Sequence, residues 1–232
     1  MLKKVTVTGA DDTTDIEEMV TIQKEYPFVE WAILVSAGRK SPRFPSMDWI
    51  KALSGKGLKL SLHLCGRYVN EILAGDMSFI AFHLSEVWNM FDRVQINTHG
   101  ISHEADLPGM VILMNNFSGK EFIFQFDNQN SATVDYARAA GVKCSALFDL
   151  SHGDGILPSE WPKPIANIPC GYAGGLSPEN VTSQLDNIKS LIGSEKIWID
   201  AETHLRTYAD HKDIFDLNKV RSFLSASKPY VQ

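Results

Sequence analysis

The sequence predicts an α/β protein: one closed barrel of eight parallel strands over residues 1–232, with a short or missing helix after the sixth strand. Three observations point there. Short apolar runs alternate with amphipathic segments along the whole chain, and no long linker or composition shift divides it. The turn after the first strand carries only Gly9, whereas an open doubly wound sheet normally places a glycine-rich turn there. Together these describe a (β/α)8 TIM barrel, with the open sheet as the alternative.

The elements follow in order. Val5–Thr8 reads as the first strand, and Ile16–Tyr26 as a helix opened by Thr and Asp capping residues. Glu30–Ser36 is the second strand, followed by a Ser-Pro-Arg loop and a helix over Met47–Leu53. Leu58–Leu64 is the third, leading into helical segments from Tyr68 to Phe91, and Arg93–Asn97 is the fourth. Glu121–Phe126 is the fifth, with a helix over Ser131–Ala140 closed by Gly141. Val142–Leu150 is the sixth. After it, SHGDGILPSEWPKP holds three prolines and two glycines, which leave little room for a helix. Ile165–Tyr172 is the seventh, with a helix over Pro178–Ile192. Lys196–Asp200 is the eighth, before a last helix near Asp213–Ala226.

Composition narrows the function. The chain has 22 Lys+Arg against 28 Asp+Glu, net −6, without a basic run, which argues against a nucleic-acid partner held over a broad surface. A small anion in a local pocket stays open. Cys65, Cys144 and Cys170 are odd in number and widely spaced, as expected of reduced thiols packed as small apolar residues in a cytoplasmic protein. MLKKVTVTGADD has no apolar core of a secretory signal, and no apolar stretch approaches the ~18–20 residues of a membrane span. No cofactor motif stands out, and the oligomeric state is not legible.

In such a barrel, ligands gather at the carboxyl ends of the strands. That rule selects Thr8, Asp11 and Asp12 after the first strand, and Arg39 and Arg43 after the second. His63 closes the third strand, His99 follows the fourth, Asp127 and Asn128 the fifth, and Asp149 and His152 the sixth. Gly174 and Gly175 follow the seventh, and Asp200, Glu202, His204 and Arg206 the eighth.

Several of these segments resemble phosphoribosylanthranilate isomerase: AILVSAGRKSPRF, VQINTHG, SALFDLSHGDG, YAGGLSPENV and WIDAETHLRTYADHKDIFDLNKVRSF. The resemblance runs over nearly the whole chain, and KSPR with AGGLSPENV is its most specific part. It implies acid/base chemistry of the Amadori type. Asp149 matches the general acid, and a proton donor near neutral pH needs a raised pKa. Arg43 matches the arginine that meets the substrate carboxylate, a planar anion suited to a guanidinium fork. Gly174 and Gly175 match the backbone cradle of the substrate phosphate, with the helix opening near Pro178 adding its positive end.

Two departures stand against the standard isomerase reaction. Thr8 occupies the position of the family's cysteine base, and a hydroxyl is a far weaker base than a thiolate, leaving Asp11 or His63 as candidate bases. The Ser-Ser-Gly phosphate loop is replaced by Ala201-Glu202-Thr203, with His204 in the glycine's place and Arg206 as the nearby positive charge. The expectation is an isomerase-like barrel enzyme acting on a small carboxylated or phosphorylated metabolite with altered chemistry. Substrate contacts fall to Arg43, His99, Gly174, Gly175, His204 and Arg206. Two other classes compete. Loss of the base suits a metabolite-binding barrel without turnover. His63, His99, His152 and His204, with Asp149, Asp200 and Glu202, suit a metal-dependent hydrolase or lyase, although no compact metal motif is present.

Overall fold

A computed structural model describes residues 1–38, 41–98, 105–127, 130–149, 154–209 and 211–232. Eight parallel strands close into a ring in chain order: β1 (Leu2–Thr8), β2 (Val29–Ser36), β3 (Leu60–Cys65), β4 (Arg93–Ile96), β5 (Glu121–Phe126), β6 (Cys144–Asp149), β7 (Cys170–Ala173) and β8 (Ile197–Ala201). β8 pairs back onto β1, with Thr6 opposite Asp200 and Val7 opposite Ala201. The fold is a TIM barrel, and closure leaves its eight-stranded sheet without an edge.

Eight helices lie around the ring among the described residues: α1 (Ile16–Glu25), α2 (Met47–Ala52), α3 (Arg67–Leu73), α4 (Ser78–Leu84), α5 (Leu107–Asn116), α6 (Ser131–Ala139), α7 (Val181–Ile192) and α8 (Leu217–Ser227). Local chemistry sets their starts. Asp15 accepts from the Glu17 and Glu18 amides, Ser46 from Trp49, and Asp216 from Asn218 and Lys219, satisfying donors that the first turn leaves open. Helix α5 has no counterpart in the sequence reading, because Pro108 and Gly109 look like breakers. Proline is tolerated in a first turn, and Asp106 caps the Gly109 amide at 3.1 Å. β7 begins five residues later than expected, since Asn167 takes a left-handed φ of 63° and Pro169 lacks an amide proton. Residues 154–169 form no helix, as the proline-rich stretch predicts. A two-stranded hairpin, β9 (Arg206–Ala209) and β10 (Lys212–Phe215), stands between β8 and α8, where the sequence predicts the start of the last helix.

Strand alternation divides the apolar residues into two layers. The large one, including Val5, Val7, Trp31, Ile33, Leu62 and Ile199, packs between sheet and helices. The small one lies inside the ring: Ile123, Leu147, Ala173 and Trp198. Gly171 makes room for the indole, because a Cβ there would lie 2.1 Å from Trp198 Cε2. The Arg93 guanidinium sits 4.3 Å over the same ring and bonds Glu30 at 2.7 Å and Glu121 at 3.1 Å. Burial opposes ionisation of Glu30, yet Arg93 and Lys4, with hydrogen bonds from Lys4 and Thr6, together hold its carboxyl below the usual range. No helix among the described residues is long and apolar enough to cross a membrane.

Candidate functional site

Inward-facing side chains near the strand carboxyl ends form the mouth of the barrel. β6 and β8 supply its acidic side. Asp149 and Asp200 are both register partners of Ala173, so their α-carbons lie about 9–10 Å apart across β7. Asp200 is 6% exposed and accepts a 2.6 Å hydrogen bond from the Thr8 hydroxyl. Burial pushes its carboxyl up to about 8 against that hydrogen bond, and the negative charges of Glu202, Asp149 and Glu30 add to the rise. Asp149 accepts from the Gln125 amide at 3.0 Å. Burial also lifts the Glu202 carboxyl, with Arg43 opposing and Asp149 adding.

Arg43 reaches from the loop after β2 to the loop after β8. It bonds Glu202 Oε1 at 2.7 Å and Thr203 Oγ1 at 3.2 Å, and its Nε lies 3.7 Å from Asp213. Arg206 is directed elsewhere. It donates to Asp11 and Asp213 at 2.7 Å each, to the Asp213 carbonyl at 2.9 Å and to the Gly9 carbonyl, and its side chain is 2% exposed. Asp11 also accepts from the Thr13 amide and hydroxyl. The pair therefore ties the loop after β1 to the hairpin. Asp12 fastens the start of α2 through the Ser46 amide at 2.8 Å and the Ser46 hydroxyl.

Gly174 and Gly175 turn the chain out of β7 with φ of 103° and 68°, a region that favours glycine. The loop after β6 lies directly on Gly175, where a Cβ would sit 2.3 Å from the Leu157 nitrogen. Packing alone thus requires glycine at that position. Asn180 closes the turn, donating to the Gly175 carbonyl at 2.8 Å and accepting from the Ser177 amide at 2.9 Å. His204, at an exposed position, contacts the Gly155 carbonyl at 2.8 Å through Nε2, joining the loops after β6 and β8.

His63 lies inside the ring, 2% exposed. Burial drives its imidazole down to about 3, with Glu30 opposing and Arg93 adding, so the ring is neutral at physiological pH. Cys144 and Cys170 pack in the outer apolar layer, and burial raises both thiols. Cys144 and Asp149 face opposite sides of the sheet, as their odd spacing requires. Cys65 differs from its two counterparts: it sits on the inner face, where the Asn97 amide approaches its sulfur at 3.0 Å. Arg39, His99, Asn128 and His152 lie outside the described residues. Asp127 exchanges hydrogen bonds with Asn130, at 3.0 and 3.1 Å. Among the described residues, no three His, Cys, Asp or Glu form a group able to hold a metal ion.

The structure thus gathers Thr8, Asp149, Asp200, Glu202 and Arg43 at one end of the barrel. Asp11 and Arg206 form an adjoining structural pair, and His63 lies deeper. The resemblance gave no role to Asp200, although the sequence carries a signal. Asp200 ends the apolar run IWI two positions after Trp198, so alternation puts both on one face of β8, the inward one, where burial perturbs a carboxyl.

No protein-family profile and no curated protein matches the chain. Solved structures do. It is similar to monomers of phosphoribosylanthranilate isomerase from Thermotoga maritima, at 17% identity and TM-score 0.57, over 99% of this chain and 100% of that one. It is similar to KGPDC from Streptococcus mutans, at 14% identity and TM-score 0.56, over 99% of both chains. The 3-hexulose-6-phosphate synthase from Salmonella typhimurium matches at 14% identity and TM-score 0.53, over 98% of this chain and 99% of that one. At such identities the likeness establishes the barrel fold alone.

Proposed function

We propose that this barrel is an enzyme that transfers protons on a small anionic metabolite at its C-terminal mouth. The carrying observation is Asp200: a buried carboxyl, held by the Thr8 hydroxyl at 2.6 Å and retaining its proton up to about 8. At neutral pH such a group is a general acid. The donor role that the resemblance gives to Asp149 passes on this reading to Asp200. Asp149 stands across β7 as the partner carboxylate that accepts or returns the proton. Thr8 serves as the positioning residue of the acid and needs no basicity of its own. An acidic mouth also favours the positive charge that develops when a sugar ring opens through an iminium or oxocarbenium species.

Arg43 is the anion contact on this reading. It rests on Glu202, which an incoming carboxylate or phosphate displaces. Gly174 and Gly175 supply the second anion seat. The phosphorylated sugar in the name of 3-hexulose-6-phosphate synthase supports a sugar phosphate as substrate.

The test is exchange chemistry. Carboxylated and phosphorylated aldoses and ketoses are incubated with the protein in D2O, and loss of carbon-bound protons is followed by NMR. Conversion or wash-out that falls about 10²–10⁴-fold in Asp200→Asn supports the reading. Equal turnover by the variant removes Asp200 from the chemistry. Tight binding without conversion selects the metabolite-binding barrel instead. Growth of a strain lacking phosphoribosylanthranilate isomerase is not expected to be restored, because Thr8 replaces the thiol base.

A further inference from the structure

Three buried polar atoms on the inner face of β3 and β4 lack a hydrogen-bond partner among the described residues: Ser61 Oγ, His63 Nε2 and Gln95 Oε1. Their residues are 0%, 2% and 5% exposed. They are also neighbours. His63 and Gln95 are register partners on adjacent strands, and Ser61 lies two positions below His63 on the same face. Strand geometry places the three α-carbons within about 5–8 Å of one another. A buried polar group without a partner costs about 1–3 kcal/mol, so three at one place call for a shared ligand.

Gln95 is held in one orientation. Its Nε2 donates to Asn97 Oδ1 at 2.9 Å, and the Asn97 amide in turn approaches Cys65 Sγ at 3.0 Å. That chain runs toward the mouth and leaves Gln95 Oε1 as the unsatisfied acceptor. We infer that Ser61, His63 and Gln95 form a subsite for one neutral hydroxyl oxygen beneath the mouth of the barrel.

The chemistry of the three atoms selects the ligand. Gln95 Oε1 only accepts, so the ligand must donate a proton, which rules out a carboxylate or a phosphate dianion. A cation would gain from Glu30, but Arg93 already pairs with that carboxylate at 2.7 Å, and burial keeps even His63 uncharged there. A hydroxyl donates once and accepts twice. It gives its proton to Gln95 Oε1 and accepts from the Ser61 hydroxyl and, in the Nε2–H tautomer, from His63. Such an oxygen comes either from a bound water or from a hydroxyl of a polyol entering through the mouth. The subsite does not depend on the proton chemistry assigned to Asp200.

NMR of the full chain labelled with 15N-histidine tests this, with the His63 signals assigned through His63→Gln. The expected result is a cross-peak from His63 Nε2–H to a long-lived water, and a shift of the His63 signals in Ser61→Ala, which deletes a single oxygen. Ribose 5-phosphate and inorganic phosphate are then added separately. Replacement of the water cross-peak by one to ribose protons, with ribose 5-phosphate alone, identifies a substrate hydroxyl. Persistence of the water cross-peak identifies a resident water, and both results support a hydroxyl subsite. A His63 ring with no cross-peak to water or to ribose overturns it, whatever Ser61→Ala does.

Discussion

Replacing Asp200 with asparagine is expected to make the protein more stable at neutral pH, and the gain to grow with pH. The carboxyl releases its proton near 3.8 in the unfolded chain and near 8 in the folded one. Between those values the native state holds a proton that the unfolded state has lost, so stability falls as pH rises through the window. At about 1.4 kcal/mol per pH unit, the loss reaches roughly 4 kcal/mol at pH 7 and about 6 kcal/mol at pH 8, then levels off. Asparagine keeps the shape, and its amide oxygen still accepts from Thr8, but it has no proton to release. Urea titrations of wild type and Asp200→Asn at whole pH units from 5 to 9 read the difference directly. It should widen by about 1.4 kcal/mol per unit up to pH 8 and stay flat above. At pH 7 the variant's Tm should stand about 10 °C higher. A difference independent of pH, or a variant less stable than wild type at pH 8, refutes both the raised pKa and the acid role built on it.

Other substitutions probe the remaining parts of the mouth. Arg206→Met leaves Asp11 buried without its counter-charge and should lower stability in urea by about 3–5 kcal/mol. A loss below ~1 kcal/mol would show that the pair is not a fastening. Gly171→Ala drives a methyl group into the Trp198 indole and should cost about 1–3 kcal/mol, with a red-shifted tryptophan emission as the ring is displaced. Glu202→Gln weakens the hold on Arg43 by replacing the carboxyl it donates to, and calorimetry should show phosphate binding strengthened by about threefold. Weaker binding would mean that Glu202 itself shapes the anion seat.

The difference between what was legible and what was not is physical. Short apolar runs such as AILV in β2 and IWI in β8 need no distant partner to be read, so the strands and their barrel followed from the chain. Helix α5 was hidden because Pro108 and Gly109 carry opposite meanings inside a helix and in its first turn. Only the capping contact from Asp106 settles which applies. The hairpin of β9 and β10 was hidden because its fastening, Arg206 to Asp11, joins residues 195 positions apart.

The same divide runs through the mouth. Sequence alone placed Thr8, Asp149, Gly174 and Asp200 at strand ends, because direction and parity are local properties of a strand. Charge state is not local. Asp149 and Asp200 are both aspartates at strand ends, and closure of the ring, which brings β8 against β1, put the Thr8 hydroxyl on Asp200 and water out of its reach. Burial energy depends on every element that surrounds a group. The sequence therefore determined which carboxyls lie at strand ends; only the closed barrel turned Asp11 to Arg206 and Asp12 to Ser46, and decided which of those left at the mouth keeps its proton.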